Sequence, residues 1–367
     1  MMPEVSGVNP AILILAMLVA LLSSWTTRFL CTSAASRSPL DHPNVRSLHT
    51  VPTPRTGGLA ILSGVVIGLV FAQGAAWMGY PLWNGDDSGL TGMIWLWILG
   101  LTLLLGVVSF WDDRSGLPPA VRIGLHGLVA AGVVWGAGLM VEVVPVPFFG
   151  TIALGALAAP MTLLGLMWIT NLYNFMDGMD GFAGGMSVVG FGMLGYLAWR
   201  GGAQQLALVS LLIAVAAAGF LVFNLPPARI FLGDVGSIPL GFLAGTLSVA
   251  GVRNGIFDLW VPVLIFLPFV VDATVTLFRR LLRGVKVWQA HREHYYQRLV
   301  LAGWGHRKTM LAEYGLMLAS GTTAVLYVHA KDLGKLVILL AWATGYVLLA
   351  WGVRVTEHGR DDRVSEA

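Results

Sequence analysis

The feature that most limits what this chain can fold into is a series of long apolar runs separated by short polar, Pro-rich or Gly-rich breaks. A helix needs about 20 mainly apolar residues to cross the hydrocarbon layer of a bilayer. Eleven runs reach that length, near 9–30, 57–80, 91–110, 122–140, 150–170, 181–200, 206–224, 236–252, 257–280, 308–328 and 333–353. With 56% hydrophobic and only 11% charged residues, the chain lies outside the range of soluble domains. The expected fold is all-α, a polytopic membrane bundle of about 11 helices. No repeat, low-complexity stretch or long linker divides it, so 1–367 reads as a single domain. A signal peptide begins with a basic stretch, whereas the residues before the first run carry Glu4 and no Lys or Arg; a retained helix is the expectation.

Basic residues accumulate in cytoplasmic loops. If the eleven runs alternate, 18 of the 22 Lys and Arg fall on one side and only Arg200, Arg253, Lys331 and Lys335 on the other. The expectation is an inner-membrane protein with its N-terminus periplasmic and its C-terminus cytoplasmic. The positive charge is dispersed over loops between spans, which excludes nucleic acid and points to orientation in a lipid bilayer. Cys31 is the only cysteine, so neither an intramolecular disulfide nor a CxxC site is available, and it reads as a structural thiol.

Five polar clusters fall on the basic side. The first runs from Asp41 to Gly58, where Pro43, Pro52 and Pro54 restrict the chain and Gly57 and Gly58 would let backbone amides approach an anion. Arg46 and Arg55 supply phosphate donors there, although a rigid basic connection explains the same residues. The second holds adjacent carboxylates, Asp112 and Asp113, with Arg114, Pro118, Pro119 and Arg122. Charge at a membrane boundary is costly unless paired, solvated or metal-bound; Asp86 and Asp87, on the other side, read as solvated.

In the third cluster Asn171, Asn174, Asp177 and Asp180 recur every three residues, which on a helix gives a slowly drifting polar stripe of oxygen ligands suited to a hard divalent cation and its phosphate partner. A hydrated transporter cavity is the competing reading of that segment. The fourth, Arg229 to Ser237, joins Phe231, an interfacial or stacking aromatic, to Gly233, Asp234, Gly236 and Ser237 at a helix start, a metal-phosphate corner. The fifth is the longest inner loop, with Arg279, Arg280, Arg283, Lys286 and then His291, Arg292, Glu293 and His294. The basic residues suit lipid headgroups; the histidines flanking Arg292 are placed to meet a pyrophosphate, and without Cys or HExxH a zinc site is not expected. Asp272 lies within a span as a functional or paired acid, and Pro262 and Pro268 predict a kink there. For His126 and Glu313 an interhelical hydrogen bond is expected.

In this order the clusters resemble the polyprenyl-phosphate N-acetylhexosamine-1-phosphate transferases, the family that includes phospho-MurNAc-pentapeptide translocase. The segments carrying the resemblance are Arg46 to Gly58, Asp112–Asp113, Asn171 to Gly181, Phe231 to Ser237 and the His-containing inner loop, spread over nearly the whole chain. The resemblance implies a bundle of ten or eleven helices whose ninth is broken or bent into a groove for a lipid chain. It implies transfer of a sugar 1-phosphate from a UDP-linked N-acetylamino sugar to undecaprenyl phosphate or another polyprenyl phosphate, with release of UMP. Mg2+, or Mn2+ in its place, is the implied cofactor, and a homodimer the implied assembly. Matched position by position, Asn174 and Asp234 associate with metal, Asp112 and Asp113 are the paired acids near the lipid phosphate, and Arg122 binds phosphate. Arg292 and His294 face the pyrophosphate, Phe231 stacks on uracil, and Asp177 and Asp180 form the family's acidic stripe, with Asn171 at its head. Catalysis falls to Asp112, Asp113 and Asp234.

Phosphoryl transfer asks mainly for positioning and for neutralising charge spread over oxygens, which metal and basic residues would supply. A phosphate monoester has a second pKa of about 6, so a general base is optional and the paired acids are expected mainly to position. Many relatives have His-x-His-His in the last loop, where this chain has His294, Tyr295, Tyr296 and Gln297. That variant resembles the O-antigen-initiating branch acting on 6-deoxy amino sugars such as N-acetylfucosamine or N-acetylquinovosamine, and it leaves a UDP-N-acetylglucosamine enzyme open. Three rivals fit less well. A cation-coupled transporter would hold its acids near the midplane within related halves. A scaffold binding a cytoplasmic partner has no use for the Asp and Asn clusters. A phospholipid-headgroup transferase would need an Arg where Gly184 stands.

Overall fold

The computed structural model describes residues 9–32, 39–43, 47–82, 92–286 and 291–365, with side chains as far as His358. Arg37, Arg46, Asp86 and Asp87 lie outside the described residues. Among those described, ten helices are long and apolar enough to cross a membrane. They are α1 (Pro10–Thr32), α2 (Gly57–Trp77), α3 (Gly92–Ser115), α4 (Pro119–Ala131, continued by a π-helical turn at Gly132–Gly136), α5 (Ala158–Phe175), α6 (Phe182–Arg200), α7 (Gln204–Asn224), α8 (Asp234–Arg253), and, nearer the C-terminus, α12 (Gly305–His329) and α13 (Asp332–Ser365). The all-α polytopic bundle read from the sequence is the observed fold.

The ninth expected run, 257–280, is the exception. It divides into α9 (Trp260–Ile265) and α10 (Leu267–Leu282) at Phe266, whose φ of −95° and ψ of 15° leave the helical region. The two prolines account for the break. Pro262 gives α9 a residue with no N–H, and Pro268 falls in the first turn of α10, where a missing donor is tolerated.

Three boundaries correct the sequence reading. The third run was expected to stop near 110, but α3 reaches Ser115 and carries Asp112 and Asp113 in its last turn rather than in a loop. The start expected at 150 belongs to a hairpin of β3 (Val143–Val146) and β4 (Gly150–Ala153), antiparallel with Val143 opposite Ala153, and α5 begins later. The segment after α10 contains a short helix, α11 (Tyr295–Leu299), which meets α12 through a kink at Gly303 (φ 99°) and Gly305 (φ 69°). A second strand pair, β1 (Leu40–Asp41) with β2 (Thr53–Pro54), lies in the connection between α1 and α2.

α8 is the hub. Of its spanning stretch 83% is buried, against 67% for α6 and α7 and 6% for α13. Its small residues let neighbours come close, which is how helices associate where lipid supplies no hydrophobic drive. Buried polar groups cross between helices: Ser23 Oγ donates to the Ala216 carbonyl (2.7 Å), and the Tyr173 and Ser187 hydroxyls are 2.8 Å apart. His126 interacts with Asn171 of α5, but its Nδ1 is buried with no hydrogen-bond partner among the described residues. Glu313, 8% exposed, has no hydrogen-bond partner among the described residues, contrary to the interhelical bond expected of it.

Candidate active site

The site is framed by backbone. β2 and the start of α2 lie along the segment entering α8. Phe231 N–H donates to Pro54 (2.7 Å), Gly57 N–H to Phe231 (2.9 Å) and Gly58 N–H to Leu232 (2.8 Å). Gly58 and Gly236 face each other so closely that a Cβ on Gly236 would stand 2.7 Å from the Gly58 Cα. Gly233, at φ 73°, turns the chain into α8 in the left-handed region glycine favours, and a Cβ there would strike the Arg55 carbonyl and meet Asp113 Oδ2 at 3.0 Å. The glycines of two distant motifs are thus the two sides of one seam.

The acids at the end of α3 take different partners. Asp113 Oδ2 accepts the Val235 N–H (3.1 Å), one of the unpaired donors at the α8 N-terminus, and Oδ1 lies 3.4 Å from Arg55 Nε. Arg55 also donates to the Asp113 carbonyl. Asp112 Oδ1 accepts the Leu117 N–H and Oδ2 meets Arg122 Nε, each at 2.6 Å. Arg122 reaches on to Asp234, with Nη1 3.8 Å from Oδ2. Asp234 Oδ1 accepts from Asn174 Nδ2 at 2.8 Å, and the same amide donates to Ser237 Oγ at 2.9 Å. Asp112, Asp113, Asn174, Asp234, Arg55 and Arg122 therefore form one linked set.

The stripe expected from the three-residue spacing is helical only in its first half. Asn171 and Asn174 occupy the end of α5, while Asp177 and Asp180 lie in the turn before α6, because α5 ends at Phe175. Asn171 donates to the Met167 carbonyl (2.7 Å). Asp180 Oδ2 accepts the Ala228 N–H (3.1 Å), and Oδ1 lies 3.3 Å from His306 Nδ1. The Asp177 N–H donates to the Asn174 carbonyl (3.2 Å), but its carboxyl has no hydrogen-bond or ion-pair partner among the described residues. Burial first, then the charges of Asp234, Asp113 and Asp41, push its carboxyl well above the ordinary carboxylate range. Two residues the sequence reading missed complete this corner. Asn224 accepts the Gly181 N–H (3.0 Å) and donates to the Ile230 carbonyl (2.8 Å), and His306 Nε2 lies 3.3 Å from the Leu48 carbonyl. Asn224 follows an apolar helix and His306 stands outside the quoted motifs, so neither carried a local signal.

The connection between α10 and α12 closes over the connection between α1 and α2. Arg292 Nη2 donates to the Ser47 carbonyl at 2.5 Å, and the His49 ring stands edge-on to Phe231, centroids 4.9 Å apart. Asp272, the acid within the broken span, is paired: it binds His294 Nδ1 and the N–H groups opening α11. Glu293 bonds to both Arg280 and Arg283. Burial works to raise its pKa, but those two guanidinium groups outweigh burial and hold it below the usual range. His291 is pushed down to about 4 by burial and by the neighbouring His294 and Arg280, so it adds no positive charge at neutral pH.

Among the described residues no three His, Cys, Asp or Glu side chains converge as a metal cage. That suits magnesium, which takes one or two carboxylates and fills its remaining positions with water and phosphate. The Asp177 carboxyl, without a side-chain partner among the described residues and held well above the ordinary carboxylate range by burial, Asp234 and Asp113, is a group whose charged form such an ion would stabilise.

Buried carboxylates cross-linked to partly exposed guanidinium groups at one end of a helical bundle point to an integral membrane protein with a site suited to phosphate chemistry. A sequence profile described as glycosyl transferase family 4 matches residues 95–252. A probable undecaprenyl-phosphate N-acetylglucosaminyl 1-phosphate transferase of Bacillus subtilis is 32% identical over 278 residues, covering 75% of this chain and 73% of that protein. An undecaprenyl-phosphate alpha-N-acetylglucosaminyl 1-phosphate transferase of Yersinia pestis is 26% identical over 80% of this chain and 77% of its own. A phospho-N-acetylmuramoyl-pentapeptide-transferase of Listeria innocua is 27% identical over 74% and 83%. The chain belongs to glycosyl transferase family 4, the polyprenyl-phosphate N-acetylhexosamine-1-phosphate transferases.

Proposed function

We propose that this protein transfers an N-acetylamino sugar 1-phosphate from a UDP-linked donor to a polyprenyl phosphate such as undecaprenyl phosphate, releasing UMP. The observation carrying this reading is the linked set Asp112, Asp113, Asn174, Asp234, Arg55 and Arg122 at one end of the bundle, in a chain whose relatives are named for that transfer. The excess of Lys and Arg in the loops at that end supports a cytoplasmic orientation in a bacterial inner membrane, where a soluble nucleotide sugar would meet a membrane-bound phosphate.

A largely apolar groove supports the lipid half of the reading. A cavity of about 270 Å³ opens between α5, α8 and the α9–α10 break, lined among others by Val144, Met161, Trp168, Pro262 and Phe266. It extends to Leu172, two residues from Asn174, so a prenyl chain in it would deliver its phosphate to the site. The lipid phosphate oxygen attacks the phosphorus bonded to the sugar; a new P–O bond forms as the P–O bond to UMP breaks. Arg55 and Arg122 hold phosphate oxygens, and Asp112 and Asp113 fix those guanidinium groups. Asp234 and the Asn174 carbonyl oxygen would hold Mg2+, with Mn2+ as substitute; the ion would neutralise charge on the transferring phosphates. Phe231 offers a face to uracil, and the last loop supports an amino sugar of the O-antigen type.

Purified protein with undecaprenyl phosphate, Mg2+ and a panel of UDP-sugars should release UMP, and chelation or Asp234→Ala should stop it. No metal-dependent UMP from any donor would sink the reading. If Asp112→Asn lost rate that raised pH fully restored, that acid would be a base rather than a positioning group. Single cysteines at Leu282 and Phe149, probed with an impermeant reagent on intact cells, test orientation: only the second should react.

A further inference from the structure

α13 is 34 residues long, about 51 Å at about 1.5 Å per residue, whereas the hydrocarbon layer is about 30 Å thick. Its spanning stretch is only 6% buried, so most of its length faces lipid. Its packed end is the one at the site. Val353, 7% exposed, is the one buried side chain of α13 among the described residues, and Glu357, a turn further on, shares its face. At that end α13 packs against α11, the short helix between the broken span and α12.

The polar part of the contact is a fork. Arg298 Nε donates to Glu357 Oε1 at 2.7 Å and Nη2 to Oε2 at 2.5 Å, with the Arg298 side chain 11% exposed. The same guanidinium lies over the Tyr295 ring, 4.9 Å from its centroid, and Arg279 of α10 stands 5.9 Å from that centroid. Two parallel bonds fix direction as well as distance, which a lysine could not reproduce.

Residues two apart on a helix point to opposite sides, and the far side of α11 bears on the site. Tyr296, fully buried, donates its hydroxyl to the Phe175 carbonyl (3.3 Å) where α5 ends, and a Cβ on Gly178 would stand 2.2 Å from that hydroxyl. Its ring packs on Phe182, the first residue of α6, with centroids 4.9 Å apart. Phe175 and Phe182 bound the turn that carries Asp177 and Asp180. One side of α11 supports that turn, and the other is gripped by α13.

We propose that Arg298 and Glu357 are positioning residues, through which the C-terminal helix holds α11 against the turn carrying Asp177 and Asp180 and so keeps the active site in register. Both act through Tyr296 rather than on a substrate. Only the activity measurements below rest on the transferase reading; the exchange measurements do not.

The test uses full-length protein in lipid nanodiscs. Glu357→Gln keeps the shape and removes the charge, and hydrogen exchange read by mass spectrometry follows each segment. Peptides covering residues 176–181 and α11 should exchange about tenfold faster, while α7 and α8 stay unchanged. At saturating donor kcat should fall about fivefold, with the melting temperature within about 2 °C of the unaltered protein. Reversing the pair, Arg298→Glu with Glu357→Arg, should bring exchange of the turn back to within about twofold of the unaltered protein, where each single change does not. Faster exchange confined to the end of α13 would mean that the pair only fastens that helix, and overturns the proposal. A double reversal no better than its single parts overturns it as well. If the exchange changes appear but the unaltered protein releases no UMP from any donor, the transferase reading fails and the positioning contact stands.

Discussion

The two ends of the bundle both carry ion pairs, and they use them differently. At the end away from the site, Arg253 and Glu142 stand 3.8 Å apart with side chains 48% and 56% exposed, Lys335 meets Asp258 at 3.0 Å, and the Trp260 indole donates to the Pro145 carbonyl at 2.6 Å. These contacts tie neighbouring elements together without bringing carboxylates from separate helices to one point. At the site end the Asp112 and Asp113 side chains are 2% and 1% exposed, and their partners lead on to α2, α4 and α8. An exposed pair contributes about 0–1 kcal/mol, whereas a buried charge left without its partner costs about 3–5 kcal/mol. Isolated, solvated pairs read as fastening. A shared network built around two buried carboxylates is costly to assemble, and its partly exposed guanidinium groups leave it open to a ligand, which points to chemistry.

The difference can be broken or sharpened in graded steps. The largest effect is expected from Asp234→Asn, which keeps the shape but removes the carboxylate facing Arg122 and Asn174: UMP release should fall at least about 10²–10³-fold with the melting temperature little changed. If activity survives, the site end is only structural. Next, Gly58→Ala drives a methyl into the Gly236 backbone and should lower stability by about 1–3 kcal/mol, seen in thermal unfolding. A smaller and directional effect belongs to His291. Its folded pKa of about 4 lies below the ordinary value of about 6.5. Between those values the unfolded chain binds a proton that the folded one does not, so stability should fall as pH drops from about 6.5 towards 4, and His291→Gln should flatten that slope. The smallest effect is expected from Arg253→Gln, within about 0.5 kcal/mol by the same unfolding measurement, and none on the pH slope.

Much of the architecture was legible because lipid demands long apolar helices, and that demand shows in a single sequence. Pro262 and Pro268 even marked the span that breaks. The β3–β4 hairpin was not legible, because its Val-rich strands continue the apolar run of α5 and mimic a helix start. The end of α3 was misplaced because Asp112 and Asp113 look like loop residues, although each is matched inside a helical turn. At the site the motif residues could be listed but not wired. Spacing put Asp177 and Asp180 on a helix that ends before them, and nothing local marked Asn224 or His306, whose partners are 43 and 258 residues away. Adjacent carboxylates suggested a pair acting on one ligand, and only the fold shows that one meets α8 and the other α4.

The seam between β2–α2 and the entry to α8 also sets what can be exchanged between proteins of this kind. Its bonds run through main chain, and its close contact is glycine against glycine, so side chains around it are free to drift while the two strips keep their fit. A chimera that imported residues 231–237 without 53–58 would bring a surface cut for a different counterpart, as a key cut for another lock. Grafts intended to alter donor choice should therefore move both strips together, or leave both in place and vary the loop that carries His291 and His294.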